Sequence, residues 1–176
     1  MKVKFVLSAM LLVALLMGGG LYYSMAYAYY DEVTAEEFGD VQLTSILSGQ
    51  PEAIATANFS GIDSISSPIR FRACFETTLS FGTLTDRYAI YENAEPLNAP
   101  GWFSCFNAKD LGPKIASGEA VAFLGQANVA YGIDRIVAFT PDGHGYIWHQ
   151  INACGDAKFN GDPLPEGCPE PVEGTN

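Results

Sequence analysis

The sequence predicts an α+β domain, a mainly antiparallel sheet of five to seven strands with one helix, preceded by a single N-terminal transmembrane helix. Three observations predict it. An uncharged run of 26 residues, Phe5 to Tyr30, lies near the start. Short β-rich runs separated by turn residues fill most of the remainder. One segment, "AKDLGPKIAS", carries helix start and stop signals.

As a helix the uncharged run would be ~39 Å long, enough to cross a ~30 Å hydrocarbon core with tilt. Lys2 and Lys4 precede it; Asp31, Glu32, Glu36 and Glu37 follow it. The positive-inside rule then puts the N-terminus in the cytoplasm and the domain outside. Tyr22, Tyr23, Tyr27, Tyr29 and Tyr30 fall where an aromatic anchor sits at the far interface. A cleaved signal peptide is the competing reading, with Phe5–Met17 as its apolar stretch and "AYA" at Ala26–Ala28 as its cleavage site. The long, aromatic segment between the two favours the anchor, and both readings export the domain. Gly20, Ser24 and Ala28 recur every four residues on one helix face. Small residues there let two helices approach closely, so self-association through this face is expected.

Residues 1–30 thus form the anchor, 31–40 an acidic linker, 41–168 the exported domain and 169–176 a tail expected to be disordered. Within the domain, "VQLTSI" (Val41–Ile46) alternates as a strand does, and "AIATANF" is a second short strand after the turn "SGQPE". "IRFRACFE" (Ile69–Glu76) alternates clearly, with Arg70, Arg72 and Cys74 on one face and Phe71, Ala73 and Phe75 on the other. "LTDRYAIYE" (Leu84–Glu92) reads as another strand. Asn107 caps the one helix, Asp110 lies in its first turn and Gly118 ends it, although Pro113 removes a backbone donor inside it. "EAVAFLG", "IDRIVAFT" and "GYIWHQIN" are three more strands. Asp142-Gly143 joins the last two as a hairpin.

The net charge is −11, and Lys2 and Lys4 are the only charges in the first 30 residues, so the domain itself is strongly acidic. Such a surface repels phosphate backbones, and no basic stripe or nucleic-acid motif is present; no nucleic-acid partner is expected. The cysteines are Cys74, Cys105, Cys154 and Cys168. An even number in an oxidising compartment predicts two disulfides. Of the three pairings, Cys74–Cys105 with Cys154–Cys168 is favoured, because the second closes a Gly/Pro/Asp-rich loop that cannot build its own core. No C-x-x-C or zinc-site spacing occurs, so neither metal nor cofactor is expected.

The stretch "TPDGHGYIWHQINACG" (Thr140–Gly155) holds both histidines, His144 and His149. Five residues apart, they fall on opposite faces of a strand and do not converge on one ion. Cys154 beside His149 and Asn152 has the wrong geometry for a thiol protease. No G-x-S-x-G, H-E-x-x-H or P-loop pattern appears. Two function classes follow. The first is a non-enzymatic, membrane-tethered interaction or accessory domain with a protein partner, its contact surface on the hairpin Arg135–Asn152. That hairpin carries Arg135, Trp148 and His149, with Asp134 just before it, and Arg and Trp are enriched at interface hot spots. The second is a small periplasmic hydrolase using His149 with Asp134 or Arg135.

The runs "YYSMAYAYYDEV", "SSPIRFRACF", "PLNAPGWFSCFNAK", "YGIDRIVAFTPDGHGYIWHQINACG" and "PEGCP" together resemble an uncharacterised family from alphaproteobacteria, a domain of unknown function. The resemblance spans nearly the whole chain. It implies a small protein anchored in the bacterial inner membrane with a periplasmic domain, and supplies no activity or catalytic residues.

Overall fold

The computed structural model describes residues 2–24, 27, 29–171. It opens with an apolar helix, α1 (Lys2–Tyr23). Val3–Tyr23 contains an 18-residue stretch with a mean hydropathy of 2.1 and is long and apolar enough to cross a membrane. None of its leucine, valine and methionine side chains packs on the domain; all are exposed.

The domain follows as β1 (Asp31–Val33), α2 (Ala35–Phe38), β2 (Gln42–Thr44), β3 (Pro51–Ala53), β4 (Ala57–Asp63), β5 (Arg72–Glu76), α3 (Phe81–Arg87), α4 (Ala108–Ser117), β6 (Val121–Ala130), β7 (Ile133–Phe139), β8 (His144–Ile151) and α5 (Ala153–Asn160). Six strands make one antiparallel sheet in the order β1-β4-β5-β8-β7-β6, and β2 pairs with β3 separately. The fold is α+β. Asp142 and Gly143 turn β7 into β8, Gly143 at a φ of 85° that a side chain would resist.

Both faces of the sheet are covered. Val137, Phe139 and Ile147 pack with Leu43, Phe71, Leu84 and Phe123 on one side. Ile136, Ala138 and Trp148 pack with Phe103, Phe106 and Leu111 on the other. Side chains alternate along a strand, so burial on two faces needs apolar residues at consecutive positions, which is why β7 reads "IVAF" without alternation.

Helix α4 forms at its predicted position despite Pro113; the Asn107 side chain accepts the Lys109 N–H and Gly118 ends the helix. Three further helices occupy segments whose pattern predicts linker, strand and loop. The acidic stretch 31–40 is built into the fold: β1 pairs with β4, and Thr34 and Glu37 cap α2 reciprocally. Leu84 to Arg87, expected in a strand, lie in α3, because Ser80 accepts the Thr83 N–H as an N-cap and turns Leu84 into the core. Only Tyr88 and Ile90 beyond it make single β-bridges, to Ser45 and Phe123. The loop between Cys154 and Cys168 contains α5, capped by Asn152, which accepts the Gly155 N–H. Its start packs so closely on the turn before β7 that a Cβ at Gly155 would overlap the Gly132 backbone.

The disulfides are Cys74–Cys105 and Cys154–Cys168. The first ties β5 to the segment before α4; the second ties α5 to the C-terminal segment, where Pro169 accepts a hydrogen bond from the Tyr131 hydroxyl at 3.0 Å. The cleavage motif at Ala26–Ala28 and the last five residues of the expected disordered tail lie outside the described residues, save Tyr27 of the motif.

Candidate functional site

The hairpin β7–β8 carries the residues singled out in the sequence, and its register places them. Arg135 is opposite His149, Asp134 opposite Gln150, and Ile136 opposite Trp148. Arg135 and His149 therefore share one face of the sheet; Asp134 and Trp148 share the other. The set Asp134, Arg135 and His149 does not meet in one cleft.

His149 is buried, with both ring nitrogens engaged. Nδ1 lies 2.7 Å from the Pro68 carbonyl and donates to it; Nε2 accepts the Arg135 Nε–H at 3.1 Å. Its ring stacks on Phe71 at 4.9 Å. Burial, with Arg135 and Arg72 nearby, holds its pKa down to about 4. The imidazole is neutral at pH 7, with no nitrogen free for a substrate. Arg135 completes an aromatic stack, its guanidinium 4.7 Å above the centre of Phe38 and 5.6 Å from Phe71. Phe38 belongs to α2, so this arginine clamps the segment between β1 and β2.

Asp134 serves the opposite face. Its carboxylate accepts the Asn128 backbone N–H at 2.9 Å, the Asn152 amide at 2.8 Å and the Tyr91 hydroxyl at 3.2 Å. Burial and this carboxylate push the Tyr91 hydroxyl up to about 12. The aspartate thus fastens the β6–β7 turn and the start of α5. Trp148 has no exposed surface and meets Phe106 edge-on at 6.3 Å. Trp148 and His149, expected on a contact surface, are interior residues; an interior side chain has no area left for a partner. His144 is the first residue of β8, exposed and opposite Glu76.

An open groove lies elsewhere, between α4 and the segment 90–96 beside β6. It encloses about 860 Å³ and is lined by Ile90, Tyr91, Pro96, Ile115 and Ala116, with Glu92 and Glu95 also in its wall. Ile90 is 56% exposed. The Glu95 N–H and the Asn93 carbonyl both bond the Gln150 side chain, at 2.8 and 2.9 Å. Gln150 therefore holds the groove's lip against the end of β8. Among the described residues no three His, Cys, Asp or Glu side chains gather as metal ligands would.

A family model, the family of unknown function DUF6446, matches residues 41–169. The chain belongs to that family. No curated protein and no solved structure matches the chain. The DUF6446 match includes all four cysteines, the hairpin and the groove, whereas β1, α2 and Phe38 precede it.

Sequence reasoning missed the groove and Arg72. Arg72 is buried and donates to four backbone carbonyls, those of Ile69, Phe71, Leu97 and Asn98. Burial lowers its pKa to about 10, against the opposing effect of Tyr30 and Asp63. It joins the start of β5 to the loop before α4. The available signal was an arginine flanked directly by Phe71 and Ala73 in a strand.

Proposed function

We propose that this DUF6446 domain is a non-enzymatic, membrane-tethered interaction domain on the periplasmic side of the bacterial inner membrane, and that it docks a protein partner in the groove between α4 and segment 90–96. The groove carries the reading: it is open, walled by apolar side chains and bordered by two acids. Ile90 offers an exposed apolar surface, and Glu92 and Glu95 favour a cationic flank, so the occupant is an apolar segment of a membrane protein with lysine or arginine beside it. The internal hydrogen bonds of His149 and Asp134 remove the support for a hydrolase. The apolar helix and the two disulfides support an exported, anchored setting.

The test is photo-crosslinking of the full chain in native membranes, from a reactive residue at Ala116 in the groove and from one at Phe159 on α5. A discrete adduct should form from Ala116 alone, and Ile90→Glu should cut its yield about tenfold or more, the scale of a lost hot-spot contact. No adduct from Ala116, or one indifferent to Ile90→Glu, would overturn the groove as the contact surface.

A further inference from the structure

The rim of the domain next to α1 carries one isoleucine that the domain leaves exposed, Ile65, and two aromatic side chains that it covers only in part, Tyr30 and Trp102. Residues 24–30 alone separate the end of α1 from β1. Fully extended they span at most ~25 Å, so the end of β1 stays close to the end of the helix. Antiparallel pairing sets Asp31 opposite Asp63, so the loop from Ser64 to Arg70 leaves β4 at this same end. At its tip Ile65 is 102% exposed. A row of rings connects this end to α1. Tyr27 stacks on Tyr23 at 5.8 Å and on Trp102 at 5.9 Å; Tyr30 meets Trp102 edge-on at 6.2 Å; Arg70 lies 5.8 Å from the Tyr30 ring.

We propose that this rim, the Ser64–Arg70 loop with the Trp102 turn, rests in the headgroup interface of the bilayer that α1 crosses, giving the domain a second membrane contact. The inference builds on the anchor reading above. Tyrosine and tryptophan partition to the headgroup level, where a ring is sheltered and its polar atom stays wet, and an exposed isoleucine beside them loses its contact with water. Asp31, Glu32 and Asp63 stand at the same end. Anionic headgroups repel them, so the contact is aromatic and apolar, with Arg70 the cation on this rim. A domain seated in this way presents its sheet at a fixed angle to the membrane instead of swinging on a tether.

The experiment uses the full chain in vesicles of phosphatidylethanolamine and phosphatidylglycerol, with and without acyl chains brominated near the headgroup. The chain has two tryptophans. Trp148 is fully buried in the core, so the difference in emission between the wild type and Trp102→Phe isolates Trp102. Brominated lipid should quench the Trp102 emission by half or more, and Ile65→Asp should weaken that quenching. A chain that floats with the vesicles while Trp102 responds to aqueous iodide and not to brominated lipid would overturn the rim contact and leave the anchor intact. A chain that fails to float would overturn the anchor and the rim contact together.

Discussion

Acid should destabilise this domain through His149, by an amount that follows from its surroundings. In the unfolded chain the imidazole takes up a proton below about 6.5; in the fold, burial beside two arginines delays this to about 4. Between those values the unfolded chain binds more protons, so stability falls as the pH is lowered from about 6.5 to about 4. The gap corresponds to roughly 3 kcal/mol, fully lost by about pH 4. For a folded domain of this size that is a fall of roughly 10 °C in Tm. The perturbation is His149→Gln, which does not titrate and whose amide can still meet the Pro68 carbonyl and Arg135. The assay is thermal unfolding of the full chain in neutral detergent, followed by near-ultraviolet circular dichroism at pH 7 and pH 4. The wild type should lose about 10 °C more than His149→Gln between the two pH values. Equal losses would show that His149 is not the buried, neutral residue described, and would restore it as a candidate for chemistry.

Trp148→Ala should cost about 3–5 kcal/mol, because it empties the centre of the core beneath α4; a Tm within 2 °C of the wild type would place Trp148 at the surface. Replacing both Cys154 and Cys168 with serine opens a loop of 14 residues in sequence separation and should cost about 3 kcal/mol, with faster proteolysis of the segment after α5. Unchanged proteolysis would contradict the role of this bridge. Helix pairing is tested by Gly20→Leu, since a Cβ at Gly20 meets nothing within 4 Å in the single chain. The association signal in a membrane reporter should fall severalfold; no change would end the pairing idea, in which Ser24 shares the face and Ala28 lies outside the described residues.

Local chemistry made part of this fold legible. Asp142-Gly143 announces its hairpin because the turn demands those residues, and Asn107 with Gly118 brackets α4. Non-local pairing hid the rest. Asp31–Val33 is a strand only because β4 lies beside it; three acidic or apolar residues carry no strand period of their own. The caps at Ser80 and Asn152 were readable, but strand-like alternation after the first and the Gly/Pro-rich loop after the second outweighed them. The hairpin shows the largest gap. Arg135, Trp148 and His149 have the composition of a contact surface, yet the uninterrupted "IVAF" beside them already implied a sheet buried on both faces. The groove could not be read at all, since segment 90–96 and α4 meet only in the folded chain.

The proposed setting is a domain both exported and tethered. Intact mass of the protein drawn from carbonate-washed membranes, without reductant, tests both at once. It predicts a membrane-bound chain that retains its apolar N-terminal run and is four hydrogens lighter than its reduced form, with no thiol open to alkylation. A soluble product beginning at Tyr29, or four alkylatable cysteines, would contradict it.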